Sequence, residues 1–181
     1  FSLQSISDLM LLTSSNDGAF AIAETLGKKF DPENPAETFV ALMNIRAEEL
    51  GLTQTYFRNP TGLDITDDEA GAYGSARDVA LLMEHILRTE PSLLESTTDP
   101  AHTIISRNGK SHTARNTNQS VTGIAGIIGS KTGYTELAGG NLVVAFDAGV
   151  NRPVIAVVLG STWQGRFNDI AALVEATHNA L

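Results

Sequence analysis

Two runs rich in Val and Ile near the end of the chain constrain its fold most. Residues 141–146 read N-L-V-V-A-F and residues 153–160 read P-V-I-A-V-V-L-G. β-Branched residues at this density fit the pleated, packed surface of a sheet. The segment between them, residues 147–152, holds Asp147, Gly149 and Asn151 and reads as a hairpin turn. An antiparallel sheet this apolar needs cover, and the rest of the sequence offers helices to supply it.

Residues 3–12 place Leu3, Ile6, Leu9, Met10 and Leu12 at helical spacing. Thr13 to Gly18, T-S-S-N-D-G, is a turn-rich break. Residues 19–29 read as an Ala-rich helix with Asp17 as its cap, and 30–35 as a loop. Residues 36–50 form the clearest helix, with Phe39, Leu42, Met43 and Leu50 on a face and Gly51 at its stop. Residues 52–74 are Gly-punctuated and irregular. Ser75 and Asp78 are spaced as a capping box for a helix that ends before Pro91. Short apolar runs at 102–106 and 126–129 add strand signals, and 168–181 close the chain as a helix with Ile170, Leu173, Val174 and Leu181 apolar. The fold class is α+β, one domain over 1–181, with a mainly helical part at about 1–100 and a sheet with its closing helix at about 101–181.

Composition narrows the function. A hydrophobic fraction of 42% allows a substantial core. A net charge of −9 and a pI near 4.8, with four scattered lysines, exclude the basic stripe of a nucleic-acid binder. The absence of cysteine removes disulfides and thiolate metal sites. His85, His102, His112 and His178 form no metal-binding spacing, so no metal is expected. No apolar run reaches transmembrane length.

Two short motifs carry chemistry. Ser14-Ser15-Asn16 is an S-x-N at the break between two helices, and Lys131-Thr132-Gly133 is a K-T-G on an expected strand. Either alone has an ordinary reading: Ser and Asn cap helices, and a lysine is usually a solvated charge. Their order and wide separation are those of the serine penicillin-binding enzymes, whose site is assembled from S-x-x-K, S-x-N and K-T-G.

Further segments extend the match. Y-F-R-N-P-T-G-L-D at 56–64, S-A-R-D-V-A-L-L at 75–82, N-T-N at 116–118, G-S-K-T-G-Y-T at 129–135, then Ala138-Gly139, Asn141-Leu-Val143 and Gly165-Arg166 occur in family order. On these residues the chain resembles the serine-type D-alanyl-D-alanine carboxypeptidases, the low-molecular-mass penicillin-binding proteins of peptidase family S11, over nearly its whole length.

The resemblance implies a β-lactamase/transpeptidase-like fold: an antiparallel sheet flanked by helices, plus a helical subdomain. It implies acylation of a serine by a peptidoglycan stem peptide ending in D-Ala-D-Ala, then hydrolysis, with β-lactams as mimics. No cofactor is implied. Ser14 would relay a proton to the leaving amine, assisted by Lys131, and Asn16 would bond the substrate amide. Thr132 would bond the substrate carboxylate, Gly133 would let the substrate approach the strand, and the backbone N–H of Tyr134 would be an oxyanion donor. Arg166 would clamp the carboxylate. The setting implied is the cell envelope, on the outer face of the cytoplasmic membrane.

The pattern breaks in two places. S-x-x-K is absent, Thr25-Leu-Gly-Lys28 being the nearest miss, so the chain holds no nucleophile. The family has several tens of residues before S-x-N, including the nucleophile helix and the first strands, where 13 stand here. The chain is therefore expected to be N-terminally truncated, inactive alone, and in need of the missing segment or of self-association. Second, some relatives carry arginine where Thr117 stands. The rival readings are a serine β-lactamase-like hydrolase and a non-catalytic module that binds peptidoglycan or penicillin.

Overall fold

The apolar runs form the centre of a three-stranded antiparallel sheet. A computed structural model describes residues 1–180. Strands β5 (Ile127–Thr135), β6 (Gly139–Asp147) and β7 (Pro153–Ser161) pair in that order. In the turn between β6 and β7, the Asp147 carboxylate accepts the Arg152 N–H at 2.9 Å.

Strand β6 is buried almost throughout because both faces of the sheet are covered. Leu142, Val144 and Phe146 point to one side, against Phe167, Ile170 and Val174 of α5 (Gly165–Ala180). Val143 and Ala145 point to the other, against Met83 of α4 (Ala76–Thr89) and Leu94 of a 3-10 segment, Pro91–Thr98. Leu181, expected on the apolar face of the closing helix, lies outside the described residues.

The front of the chain supplies α1 (Leu3–Thr13), α2 (Asn16–Gly27) and α3 (Pro35–Glu49). Proline at the first position of α3 has no N–H to lose, and Gly51 beyond its end takes φ +70°. Between α3 and α4 the chain makes one short pairing, β1 (Tyr56–Phe57) with β2 (Ala72–Tyr73), and a single antiparallel bridge of Thr66 with Glu69. A hairpin of β3 (Ala101–Ile105) and β4 (Ser111–Arg115) rests Ile104 and Ala114 on Leu12 of α1.

Several expectations need correction. Asp17 does not cap α2; Ser15 does, its extended backbone letting Oγ accept the Gly18 N–H at 3.1 Å. Asp17 sits in the first turn, where its charge suits the helix dipole. The capping box of α4 is half formed. Ser75 Oγ accepts the Asp78 N–H at 3.2 Å, but the Asp78 carboxylate does not reach back. It is fully buried and holds the preceding loop through the Gln54 N–H at 2.7 Å and Thr55 Oγ1 at 2.9 Å.

Candidate active site

The turn between α1 and α2 is shaped by one strained residue. Ser14 ends α1 in the left-handed region, φ 56° and ψ 43°, which a side chain disfavours by about 1–2 kcal/mol. That conformation lets a new helix start at once and leaves Ser14 exposed at the edge of a cleft of about 1110 Å³. Strained non-glycine backbone of this kind persists where surrounding structure holds it, commonly at functional sites.

Across the cleft runs β5. Lys131 Nζ donates to Ser14 Oγ at 2.8 Å and to the Thr132 carbonyl at 2.5 Å. The two motifs, 117 residues apart, thus meet through a hydrogen bond. Burial, reinforced by the nearby Arg166 guanidinium, lowers the lysine from 10.5 to about 8. As an ammonium, Lys131 occupies a lone pair of the Ser14 hydroxyl and leaves the Ser14 proton free to point elsewhere. As an amine it could accept that proton.

Thr132 is buried, and its Oγ1 lies 2.6 Å from Thr117 Oγ1. A Cβ on Gly133 would meet only the Asn141 Cβ, at an ordinary 3.7 Å. The fold itself therefore does not demand glycine there. Tyr134 is half exposed and meets Trp163 edge to face, ring centroids 4.9 Å apart. Asn16, the first residue of α2, is exposed, with no side-chain hydrogen bond among the described residues.

Arg166 departs from a free clamp. It is buried at 2% exposure, and its Nη1 donates to the Gly133 carbonyl at 2.7 Å. Its guanidinium lies 4.4 Å from the centre of the Trp163 ring. Its Nε is buried without a partner. The charge is fixed beside β5, with one edge already committed to backbone.

Supporting residues fix the distance between the halves of the cleft. Asn118 Nδ2 donates to Ser130 Oγ at 3.0 Å, and the Ser130 N–H donates to Thr97 Oγ1 at 3.0 Å. The Thr117 N–H donates to the Leu12 carbonyl, two residues before Ser14, at 3.0 Å. Residues 116–118 therefore strap the end of α1 to β5. Asp64 Oδ2 accepts the Leu137 N–H at 3.2 Å, joining the irregular loop to the β5–β6 turn. Trp163, the only tryptophan in the chain, carried no motif; its isolation in a short loop was its only sequence signal.

Comparison with known proteins gives the family and the fold. The peptidase S11 family model, D-alanyl-D-alanine carboxypeptidase, matches residues 1–162. The chain belongs to the D-alanyl-D-alanine carboxypeptidase family. It is 36% identical to D-alanyl-D-alanine carboxypeptidase DacF of Bacillus subtilis over 151 residues, 83% of this chain and 36% of that protein. It is 32% identical over 168 residues to DacB2 of Mycobacterium tuberculosis, 91% of this chain and 53% of that protein. The chain thus spans about a third to a half of these relatives.

Among solved structures, penicillin-binding protein D2 of Listeria monocytogenes in its cefotaxime-bound form superposes with TM-score 0.79 at 31% identity. That match covers 98% of this chain and 66% of the Listeria chain. A D-alanyl-D-alanine carboxypeptidase from Mycobacterium tuberculosis gives TM-score 0.82 at 26% identity, covering all of this chain and 65% of that one. The α+β architecture is that of the penicillin-binding and DD-transpeptidase fold.

Proposed function

We propose that this chain forms the S-x-N and K-T-G side of the active site of a serine-type D-Ala-D-Ala carboxypeptidase. The observation that carries the reading is the 2.8 Å contact of Lys131 Nζ with Ser14 Oγ. Helix termination accounts for the left-handed backbone of Ser14, but neither it nor a solvated surface lysine accounts for that serine's hydroxyl meeting a lysine whose proton affinity is lowered to about 8.

The substrate is a peptidoglycan stem peptide ending in D-Ala-D-Ala, and β-lactams occupy the same cleft. Lys131 and Arg166 supply positive potential for the terminal carboxylate, and Thr132 donates to it. Arg166 acts mainly as a fixed charge, since one Nη already serves the Gly133 carbonyl. The freedom at Gly133 lets the substrate lie against β5, with the Tyr134 N–H at the developing oxyanion. Asn16 bonds the substrate amide. Ser14 passes a proton to the leaving D-Ala amine, and Lys131, titrating near 8, replenishes it.

The attacking serine lies outside these residues, in an S-x-x-K whose lysine serves as its base. This chain by itself therefore turns over no substrate. We place the protein in the cell envelope, where its substrate is, and read residues 1–181 as part of one catalytic domain. D-Alanine release from diacetyl-L-Lys-D-Ala-D-Ala tests the reading in a protein carrying both this segment and an S-x-x-K segment. Lys131→Ala is expected to lower kcat/KM about 10²–10³-fold. Unchanged turnover would refute the assignment.

A further inference from the structure

The residue that stands where some relatives carry arginine has a geometry of its own. Thr117 Oγ1 is 2.6 Å from Thr132 Oγ1 and 3.2 Å from the Leu12 carbonyl. The Leu12 carbonyl already receives the Thr117 N–H at 3.0 Å. Each hydroxyl has one proton, so the pair has two settings. In one, Thr132 donates to Thr117 and Thr117 donates to Leu12, so the Thr132 proton is spent inside the protein. In the other, Thr117 donates to Thr132, and the Thr132 proton is free for an acceptor in the cleft. The second setting leaves the Leu12 carbonyl satisfied by the backbone.

We infer that Thr117 is a positioning residue that turns the Thr132 hydroxyl toward a carboxylate in the cleft. The inference rests on reading the cleft as a D-Ala-D-Ala site and names how that site recognises its anion. A carboxylate only accepts hydrogen bonds, so it selects the second setting, with protons running from Thr117 to Thr132 to the ligand. A donor within such a chain strengthens the next bond, and the last one is charge-assisted. The Lys131 contacts do not pass through this pair. Its Nζ bonds the Thr132 backbone carbonyl and Ser14 Oγ, so rotation of the Thr132 side chain leaves them in place.

The substitution that isolates the effect is Thr117→Val, which keeps the shape and the backbone bond to Leu12 and removes only the hydroxyl. Thr117→Ser restores it. The probes are diacetyl-L-Lys-D-Ala-D-Ala and its C-terminal methyl ester, titrated into a protein that joins this chain to an S-x-x-K segment with its serine changed to alanine to stop turnover, and followed by amide NMR shifts, with Lys131 titrated in parallel. This parent protein is expected to favour the carboxylate. Thr117→Val should weaken carboxylate binding by about fivefold to tenfold and ester binding by less than about twofold, the difference between a charge-assisted and a neutral hydrogen bond. Thr117→Ser should restore the preference, and Lys131 should titrate in Thr117→Val as it does in the parent protein. Equal weakening of both ligands, an unchanged preference or a displaced Lys131 titration would overturn the role of Thr117 and leave the reading of the cleft standing. A parent protein that binds neither probe, or both alike, would overturn that reading and this inference with it.

Discussion

Lys131 should make the folded chain less stable at neutral pH than it need be. Burial, with Arg166 second, lowers its proton affinity from 10.5 to about 8. At about 1.4 kcal/mol per pH unit, that gap corresponds to about 3 kcal/mol. The direction follows from which state holds the proton. Below pH 8 the lysine is charged in both folded and unfolded chains, and the folded state bears the full cost of burying it. Between pH 8 and 10.5 the unfolded chain keeps a proton that the folded chain has lost, so stability rises with pH. Above 10.5 both forms are neutral and the cost is gone. Lys131→Met removes this cost and also the bonds to Ser14 and the Thr132 carbonyl, each contributing about 1 kcal/mol. The variant should therefore be about 1 kcal/mol more stable than wild type at pH 7 and about 2 kcal/mol less stable near pH 10.5. Urea unfolding of both proteins at several pH values reads the difference, in which tyrosine ionisation cancels. A difference that stays flat from pH 7 to 10 would show that Lys131 is not held at a lowered proton affinity.

Three further outcomes follow from local geometry. Ser14→Gly and Ser14→Ala both remove the contact with Lys131, but only glycine tolerates φ 56°, so the glycine variant should be more stable by about 1 kcal/mol in denaturant unfolding; equal stabilities would mean the left-handed turn is not retained. Asp78→Ala strips the Gln54 N–H and Thr55 hydroxyl of their buried acceptor and should cost about 2–4 kcal/mol by the same measurement, whereas a loss under about 0.5 kcal/mol would refute that role. Exposed Phe1, Leu3, Phe20 and Phe30 on or beside the first two helices should drive self-association, giving species heavier than 19.2 kDa in sedimentation at micromolar concentration; a stable monomer would count against it.

What the sequence disclosed depended on where its information is local. The hairpin of β6 and β7 was legible because β-branched runs and a polar turn sit side by side. Their lack of alternation reflects cover on both faces, which α4 and α5 supply. Strand β4, S-H-T-A-R, carries no apolar run and forms through its register with β3, so no local signal marks it. Strand β5 is expected from the apolar run at 126–129 and the K-T-G after it, and Thr132, Tyr134 and Thr135 suit its pleated surface, but its full length to Thr135 is set by pairing with β6. At the cleft, residue type and order pointed to Ser14 and Lys131, and the structure puts them in contact. The commitment of Arg166 to the Gly133 carbonyl, and the pairing of Thr117 with Thr132, depend on side chains meeting across elements. No spacing rule encodes such meetings. The box expected at Ser75 and Asp78 failed for the same reason: a distant loop offered the carboxylate better donors.

The central claim is that this chain holds the proton-handling and carboxylate-binding side of a penicillin-binding site whose nucleophile lies elsewhere. Denaturing intact-mass measurement with benzylpenicillin tests it most directly, on the 181-residue chain and on a protein that joins it to an S-x-x-K segment. The account predicts that the 19.2 kDa chain gains no mass while the joined protein gains one penicillin. A penicillin adduct on the 19.2 kDa chain itself, or none on the joined protein, would contradict it.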